Sequence, residues 1–298
     1  MTAPTAQPVQ LFEAVDPPST LEQPSAGLIP SLGSRQLGDH LSGGAWLPDA
    51  LGQYQLVNPC DPDPPEFPSD GPRRKLVLVS PITLRTSYWW QGRPQDFDQD
   101  AAERYASVVT SAAVARELWE GEGTRAEPYA LPQSYGGATG QVNDYLANPD
   151  TCWVAEGTGL APADAIAALD GLGQRALKGA TTPVIHVTPE VAQAGAEKLT
   201  RYGSTMRTIN GSVVVADAGA TGKGPGSRTG LWGYVTGPVG VWLGPVSSDS
   251  ALEDTTQVQL NRRQVWAHRS FMVGFDPACH IAVPIDYALP ALTAPTGG

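Results

Sequence analysis

The sequence predicts a mixed α+β fold, with an extended N-terminal arm, a β-prone stretch, one long helix, and then short helices and strands to the end. Three observations carry this reading. Residues 1–72 hold 13 of the 28 prolines and show no sustained helical or strand period. Residues 98–120 place Ala101, Tyr105, Val108, Val109, Ala112, Ala115, Leu118 and Trp119 at the spacing of one helix face. Beyond residue 180, short β-branched runs alternate with Gly, Pro and Asn-Gly punctuation.

The arm comes first. Pro17-Pro18 and Pro62-Asp63-Pro64-Pro65 leave it no core of its own, so it is expected to order against the rest of this chain or against neighbouring copies on assembly. At Lys75 the pattern changes: Leu76–Val79 and Ile82–Trp90, separated by Ser80-Pro81, predict two strands or a long hairpin arm. The helix over 98–120 has Asp96 or Asp98 as N-cap and Gly121 as C-cap, and at 1.5 Å per residue is about 34 Å long. Residues 121–160 read as an irregular, Gly-rich connection. Pro162 then opens a helix through Ile166, Leu169, Leu172 and Leu177 that Gly179 closes. A strand over 183–187 leads into Thr188-Pro189-Glu190, which starts a third helix to about Leu199. Asn210-Gly211 predicts a hairpin within 206–216, and Leu231–Val235 with Val239–Leu243 predict a further strand pair around Gly237-Pro238. Residues 257–287, with Val265-Trp266, Phe271-Met272-Val273 and alternating Ile281, Val283 and Ile285, predict a terminal β segment. No internal repeat is present.

Charged residues are only 16% of the chain against about 25% typically, and 33 glycines with 28 prolines make about one residue in five. The 41% apolar content argues against wholesale disorder, and no run approaches the ~18 apolar residues of a membrane helix, so no membrane partner is expected. The first cationic side chain is Arg35, so no basic leader precedes an apolar run and a secretory signal is not expected. A net charge of -11 disfavours tight nucleic-acid binding, which rests on Lys and Arg neutralising phosphates. Residues 1–70 carry nine acids and one cation, so most of the acidity is N-terminal. Cys60, Cys152 and Cys279 are odd in number and widely spaced, and read as reduced thiols of a cytoplasmic chain rather than a disulfide or zinc framework.

Catalytic motifs fail on spacing. In the Gly-rich stretch 218–227, Asp217 and Gly224 stand where a phosphate loop needs Gly and Ser/Thr, so the stretch reads as a flexible surface loop. Gly121–Ala126 spells a dinucleotide fingerprint but follows a helix instead of a strand, and reads as a helix stop. His40, His186, His268 and His280 lack metal-ligand spacing. Cys279 and His280 are neighbours on a strand and point to opposite faces, which predicts a buried thiol beside an exposed imidazole. No GxSxG elbow occurs, and Asn210-Gly211-Ser212 is read as a turn, not a glycosylation site. No catalytic, cofactor or metal residues are assigned, and no cofactor is expected.

Aromatic surface stands out instead. Eight tryptophans in a charge-poor chain predict surfaces that meet other subunits, against the alternative that each merely fills the chain's own core. Trp89-Trp90 favours an interface, because neighbours on a strand cannot both face one core. The candidate inter-subunit contacts are Trp46, Trp89, Trp90, Arg93, Arg262 and Arg263.

The order of parts resembles the major capsid proteins of tailed bacteriophages, the Hong Kong 97 fold shared with encapsulins. The residues carrying the resemblance are the arm, the β-prone stretch, and the long helix ending in Glu117-Leu118-Trp119-Glu120-Gly121-Glu122-Gly123. To these are added Val184–Val191, Gly237–Val241, Asn261–Arg269 and Phe271–Ala278. It spans roughly residues 76–287. It implies an N-terminal arm over 1–75, an E-loop over 76–97 that overlaps a neighbour, and a peripheral domain with the spine helix over 98–159. An axial domain over 160–236 and a return to the peripheral domain with a C-terminal tail over 237–298 complete it. The Gly-rich loop 218–230 would lie near the symmetry axes. The implied function is self-assembly into hexamers and pentamers of an icosahedral phage head enclosing double-stranded DNA, with no enzymatic activity. The implied partners are further copies of the chain, portal, scaffolding and decoration proteins, and DNA through weak non-specific contact. The implied location is the virion, assembled in the host bacterial cytoplasm. The chain starts at Met1 without a charged coiled-coil segment, so any scaffold is expected to be separate or absent. Lys75, Lys178, Lys198 and Lys223 mark no recognisable crosslink motif. The alternatives are a minor capsid, decoration or tail protein, and a cytoplasmic α/β enzyme of hydrolase type with a site built from dispersed residues such as His186, Asp217 and His268.

Overall fold

The computed structural model describes residues 27–36, 45–47, 77–79, 81–91, 99–126, 144–154, 159–249 and 262–288. The first elements are α1 (Leu28–Leu32), β1 (Arg35–Gln36), β2 (Ala45–Leu47), β3 (Val77–Val79), β4 (Ile82–Gln91), α2 (Gln99–Glu120), α3 (Glu122–Ala126) and β5 (Cys152–Trp153). Then come α4 (Pro162–Leu177), β6 (Val184–Val187), α5 (Pro189–Ala194), β7 (Leu199–Tyr202), β8 (Thr205–Thr208) and β9 (Val213–Ala216). The chain closes through β10 (Leu231–Thr236), β11 (Val239–Asp249), β12 (Arg262–Phe275) and β13 (His280–Ile285). The long helix forms as its spacing predicts, and Gly121 ends it at φ +62, its N–H donating to the Glu117 carbonyl. The N-cap candidates Asp96 and Asp98 lie outside the described residues.

One sheet has seven strands in the order β5-β13-β10-β6-β9-β8-β7. Its central strands alternate between two cores. Val184, Val213, Val215, Tyr234 and Ala282 are buried on the α2 side, whereas Ile185, Val187, Val214, Val235, Val283 and Ile285 are buried against α4 and α5. A sheet covered on both faces explains why all four residues of β6 are buried. Pro162 opens α4 at its first turn, and Ala165, Ile166, Leu169 and Leu177 form its buried stripe. Asn210-Gly211 makes the predicted hairpin, with Gly211 at φ +90 and Met206 paired to Val214. Asp170 of α4 fixes that turn from below by accepting from Ser212 Oγ (2.6 Å) and Asn210 Nδ2 (2.9 Å). The third helix is shorter than predicted. Its α-helical part stops at Ala194 with Gly195 as C-cap, and a 3-10 turn over Ala196–Lys198 continues to Leu199, which begins a strand.

The other main sheet has the order β1-β11-β12-β4, with β11, β12 and β4 antiparallel. Here the sequence prediction around Gly237-Pro238 is overturned: β10 and β11 do not pair. β10 joins β13 and β6 in the seven-stranded sheet, and β11 joins β12 and β1 in this one. The physical reason is the turn itself. A tight hairpin needs positive φ, but Gly237 does not adopt it and Pro238 fixes φ near -65°. β12 and β13 cross at the same level, so the two strand pairs form one antiparallel ribbon that bends from sheet to sheet. The Gly237 N–H donates to the Cys279 carbonyl (3.1 Å) and the Asp276 N–H to the Pro238 carbonyl (2.9 Å) at the bend. β13 thus lies with the strands of 184–236, although the sequence grouped it with the returning segment. β3 and β4 are two strands and not a hairpin, since β3 pairs with β2 and β4 with β12.

α2 serves both sheets. Its C-terminal half (Val114, Ala115, Leu118, Trp119) shares a core with Trp232 and Tyr234 of β10 and with Val241, Leu243, Phe271, Val273 and Phe275 of the four-stranded sheet. Its N-terminal half packs Ala102 and Ala106 on Ala267. Ser248 Oγ also donates to Glu103 Oε1 (2.7 Å). Residues 27–36, within the arm expected to order against the rest of this chain or against neighbouring copies, pack on this chain's own core: Leu28 is 1% exposed, and β1 adds to β11. Buried Asp217, at the end of β9, holds the segment in place. It accepts from the Leu28 N–H (2.9 Å), Ser111 Oγ of α2 (2.7 Å) and the Gly219 N–H (3.1 Å). Replacing Asp217 with Ala strands these donors, so urea unfolding should show a loss of about 3 kcal/mol. Hydrogen exchange in the variant should rise in residues 27–36 before it rises in the sheets.

Two histidines sit between these layers. His186 is 2% exposed and bonded to Thr236 Oγ1 (3.0 Å). Burial, helped by nearby His280, pushes its imidazole down to about 3 from an ordinary 6.5. His280 is packed edge-on against Phe275 and bonded to Thr151 and the Leu146 carbonyl, and burial lowers it too. The imidazole expected to be exposed is therefore packed, because the segment holding Leu146 and Thr151 lies against it. Above pH 6.5 His186 is neutral in both folded and unfolded states. As pH falls from there toward 3, only the unfolded chain gains the proton, and stability drops by about 1.4 kcal/mol per pH unit. Unfolding free energies from urea titrations at about pH 6.5 and about pH 5 should differ by about 2 kcal/mol from this residue alone. A His186→Gln variant should lose that share of the slope, and an unchanged slope would refute the assignment.

Candidate assembly surfaces

The long ribbon of the four-stranded sheet gathers most of the predicted contact residues. β4 and β12 run antiparallel from Ile82↔Phe271 to Gln91↔Arg262, which places Trp89 across from Gln264 and Trp90 across from Arg263. Residues some 170 positions apart in sequence thereby meet at one end of a strand pair. Trp46 is elsewhere, on β2 opposite Leu78. Arg93 lies outside the described residues. Among the described residues β4 is the edge strand, so one side of its ten-residue backbone has no ladder partner there. α2 covers one face of the ribbon. Elsewhere along it Thr83 pairs with Ser270, Ser247 with His268 (2.8 Å), and Arg85 stacks over Trp266 at 4.3 Å. A bulge between Leu243 and Val246 interrupts β11, where Arg269 Nε donates to the Gly244 carbonyl (2.9 Å). At the far edge of the seven-stranded sheet, Tyr202 at the end of β7 and Ile209 just after β8 are 64% and 95% exposed.

The residues considered for a dispersed catalytic site do not come together. His186 bonds Thr236 inside the seven-stranded sheet, Asp217 holds the 27–36 segment, and His268 bonds Ser247 on the other sheet. Cys279 is buried, and burial together with Asp276 pushes its thiol up to about 12, away from the reactive thiolate. Cys152 is exposed, and Cys60 lies outside the described residues. Among the described residues no group of three or more His, Cys, Asp or Glu side chains could hold a metal, and no helix is long and apolar enough to cross a membrane.

The Gly-rich stretch 218–230 corrects the sequence reading of a flexible surface loop. It packs against α2 and β10, and its glycines are there for close approach: a Cβ on Gly219 would overlap the Ala112 carbonyl, and one on Gly224 would overlap the Trp232 indole. The Lys223 carbonyl accepts from both Trp119 Nε1 (3.1 Å) and Tyr234 Oη (2.7 Å), whose rings meet edge to face. Beyond this loop lies a groove that sequence reasoning missed. Its guanidiniums, Arg125 and Arg228, stand on Tyr145 and Trp153, pairings no local spacing could reveal.

No protein-family model matches the sequence, and no curated protein is similar to it. Solved structures are similar. One described as Mycobacterium phage Adephagia matches at a TM-score of 0.51 and 10% identity, over 95% of this chain and 97% of that one. Another, described as the capsid of Ralstonia phage GP4, covers 98% of this chain and 100% of its own at 11% identity and a TM-score of 0.49. A third, described as the capsid of an empty GTA particle, covers 96% of each chain at 10% identity and 0.46. At such identities the likeness is one of fold, and it is the phage Adephagia structure whose fold this chain shares.

Proposed function

We propose that this chain is the major capsid protein of a phage head, assembling with further copies of itself into hexamers and pentamers of an icosahedral shell around double-stranded DNA. The observation that carries the reading is the fold likeness to the phage Adephagia structure over nearly the whole of both chains. The shape of the subunit supports it. A body with two cores carries a long ribbon whose edge strand β4 offers unpaired backbone to a neighbour. In this reading β4 and the segment around it (76–97) act as the E-loop, α2 as the spine helix, and the four-stranded sheet as the peripheral domain. The axial domain is 160–236, which supplies five of the seven strands of the larger sheet, β5 and β13 coming from the segments on either side. Trp46, Trp89, Trp90, Arg93, Arg262 and Arg263 contact adjoining subunits. Portal, scaffolding and decoration proteins are its further partners, DNA is contacted weakly and without sequence preference, and the protein resides in the virion after assembly in the host cytoplasm. Its role is structural rather than enzymatic.

Velocity sedimentation and negative-stain microscopy of the chain expressed alone should show closed shells or rings of five and six subunits. A monomer or dimer that persists at high concentration and with a co-expressed scaffold overturns the reading. Replacing Trp89 and Trp90 together with Ala should abolish particles while circular dichroism and urea unfolding of the subunit stay unchanged. Because residues 27–36 belong to the subunit core, the matching arm truncation ends at residue 26.

A further inference from the structure

We infer that the groove between α3 and the β5 edge of the seven-stranded sheet is the docking site of this chain's own acidic, proline-rich segment, Asp61–Asp70. This inference does not depend on the capsid reading. The groove consists of two adjoining clefts of about 470 and 370 Å³ that share Thr229. The first is cationic. Lys223 there is paired with Glu120, but Arg125 and Arg228 have no carboxylate partner among the described residues. Each lies over an aromatic ring, Arg125 over Tyr145 (5.6 Å) and Arg228 over Trp153 (3.7 Å). A stacked guanidinium is held in orientation and keeps its edge N–H groups available, the geometry that suits a carboxylate. The second cleft is aromatic and apolar, lined by Trp153, Trp232 and Leu231, with Val154 40% exposed beside it.

Two guanidiniums without a carboxylate partner among the described residues, Arg125 donating only to the Glu120 carbonyl (3.5 Å), stand beside an aromatic wall in a chain of net charge -11 and call for an anionic ligand with apolar content. Asp61-Pro62-Asp63-Pro64-Pro65-Glu66-Phe67-Pro68-Ser69-Asp70 has that composition, and no Lys or Arg occurs between Arg35 and Arg73. Proline-rich chain is extended before it binds and packs its rings on aromatic walls at low entropic cost. The tether favours the same chain over a neighbouring copy. The segment is held at Leu47 and Val77, which pair in the β2–β3 ladder, and β3 is followed within three residues by Ile82, which touches Gly123 of α3, two positions from Arg125. From Asp70 to Val77 the chain spans up to about 24 Å, which sets how far the segment can extend from the β2–β3 ladder. Glu120 and Asp286 on the same walls disfavour a polyphosphate ligand.

The test is hydrogen exchange of residues 61–70 in the full chain, read by mass spectrometry. Arg125→Glu with Arg228→Glu should speed exchange there about ten-fold, and so should Asp61→Asn, Asp63→Asn, Glu66→Gln and Asp70→Asn together. Changing the four acids to Lys in the two-Glu background should restore protection, which a merely misfolded variant could not do. Raising salt from about 0.05 M to about 0.5 M should speed exchange in the unaltered chain. Exchange indifferent to the Arg→Glu changes overturns the proposal. So does protection that vanishes on dilution to monomers, which would place a neighbour's segment in the groove. Duplex DNA binding that is lost in the Arg→Glu variant without any change at 61–70 would overturn it in favour of a nucleic-acid site.

Discussion

Everything in this subunit depends on one bend in an antiparallel ribbon. β10 and β11 run alongside β13 and β12, and the pair leaves one sheet and enters the other at Gly237-Pro238 and Asp276–Cys279. The bend is tight because Gly237 has no side chain: a Cβ there would come within 2.8 Å of Asp276 Cβ. Two backbone hydrogen bonds across it, and an Asp276 carboxylate accepting from the Ala278 N–H, fix its angle. The two sheets are therefore not separate bodies joined by a linker. Their relative orientation is set by a covalent, doubly hydrogen-bonded joint.

That joint creates the corner which α2 fills. The helix offers Trp119 and Leu118 to the core between the sheets and alanines to the ribbon, so bulk sits where the layers diverge and small residues where they converge. The segment 27–36 and the Gly-rich loop close the corner from either side. Asp217 ties the first of these to α2, and the Lys223 carbonyl ties the second to Trp119 and Tyr234. Buried polar groups here are nodes between elements far apart in sequence. Their loss would loosen the assembly of layers before it disturbed any one layer.

Such a body is consistent with the proposed role in assembly. The rigid corner carries a ribbon with an open edge strand on one side, and hairpin ends exposing Tyr202 and Ile209 on the other. Surfaces with opposite positions on one subunit generate rings or lattices when copies meet head to tail. The stacked arginines add a site of a different kind, one that manages an acidic segment of the chain rather than a flat interface.

By itself the sequence determined the local elements. The 3.6-residue pattern and Gly121 specified α2, Pro162 and Pro189 marked helix starts, and Asn210-Gly211 specified a hairpin, because period, caps and turn chemistry act between near neighbours. Only the tertiary structure decided which strands pair. It sent β10 and β11 to different sheets, put Arg263 across from Trp90, packed the glycines of a loop that reads as mobile against α2 and β10, and chose this chain's own core as the place where residues 27–36 order. Those outcomes rest on burial summed over whole layers and on hydrogen-bond partners 50 to 190 residues apart, such as His186 with Thr236 and Leu28 with Asp217. No local signal encodes such distances, since a carboxylate or a glycine looks the same in sequence whether it faces water or a helix.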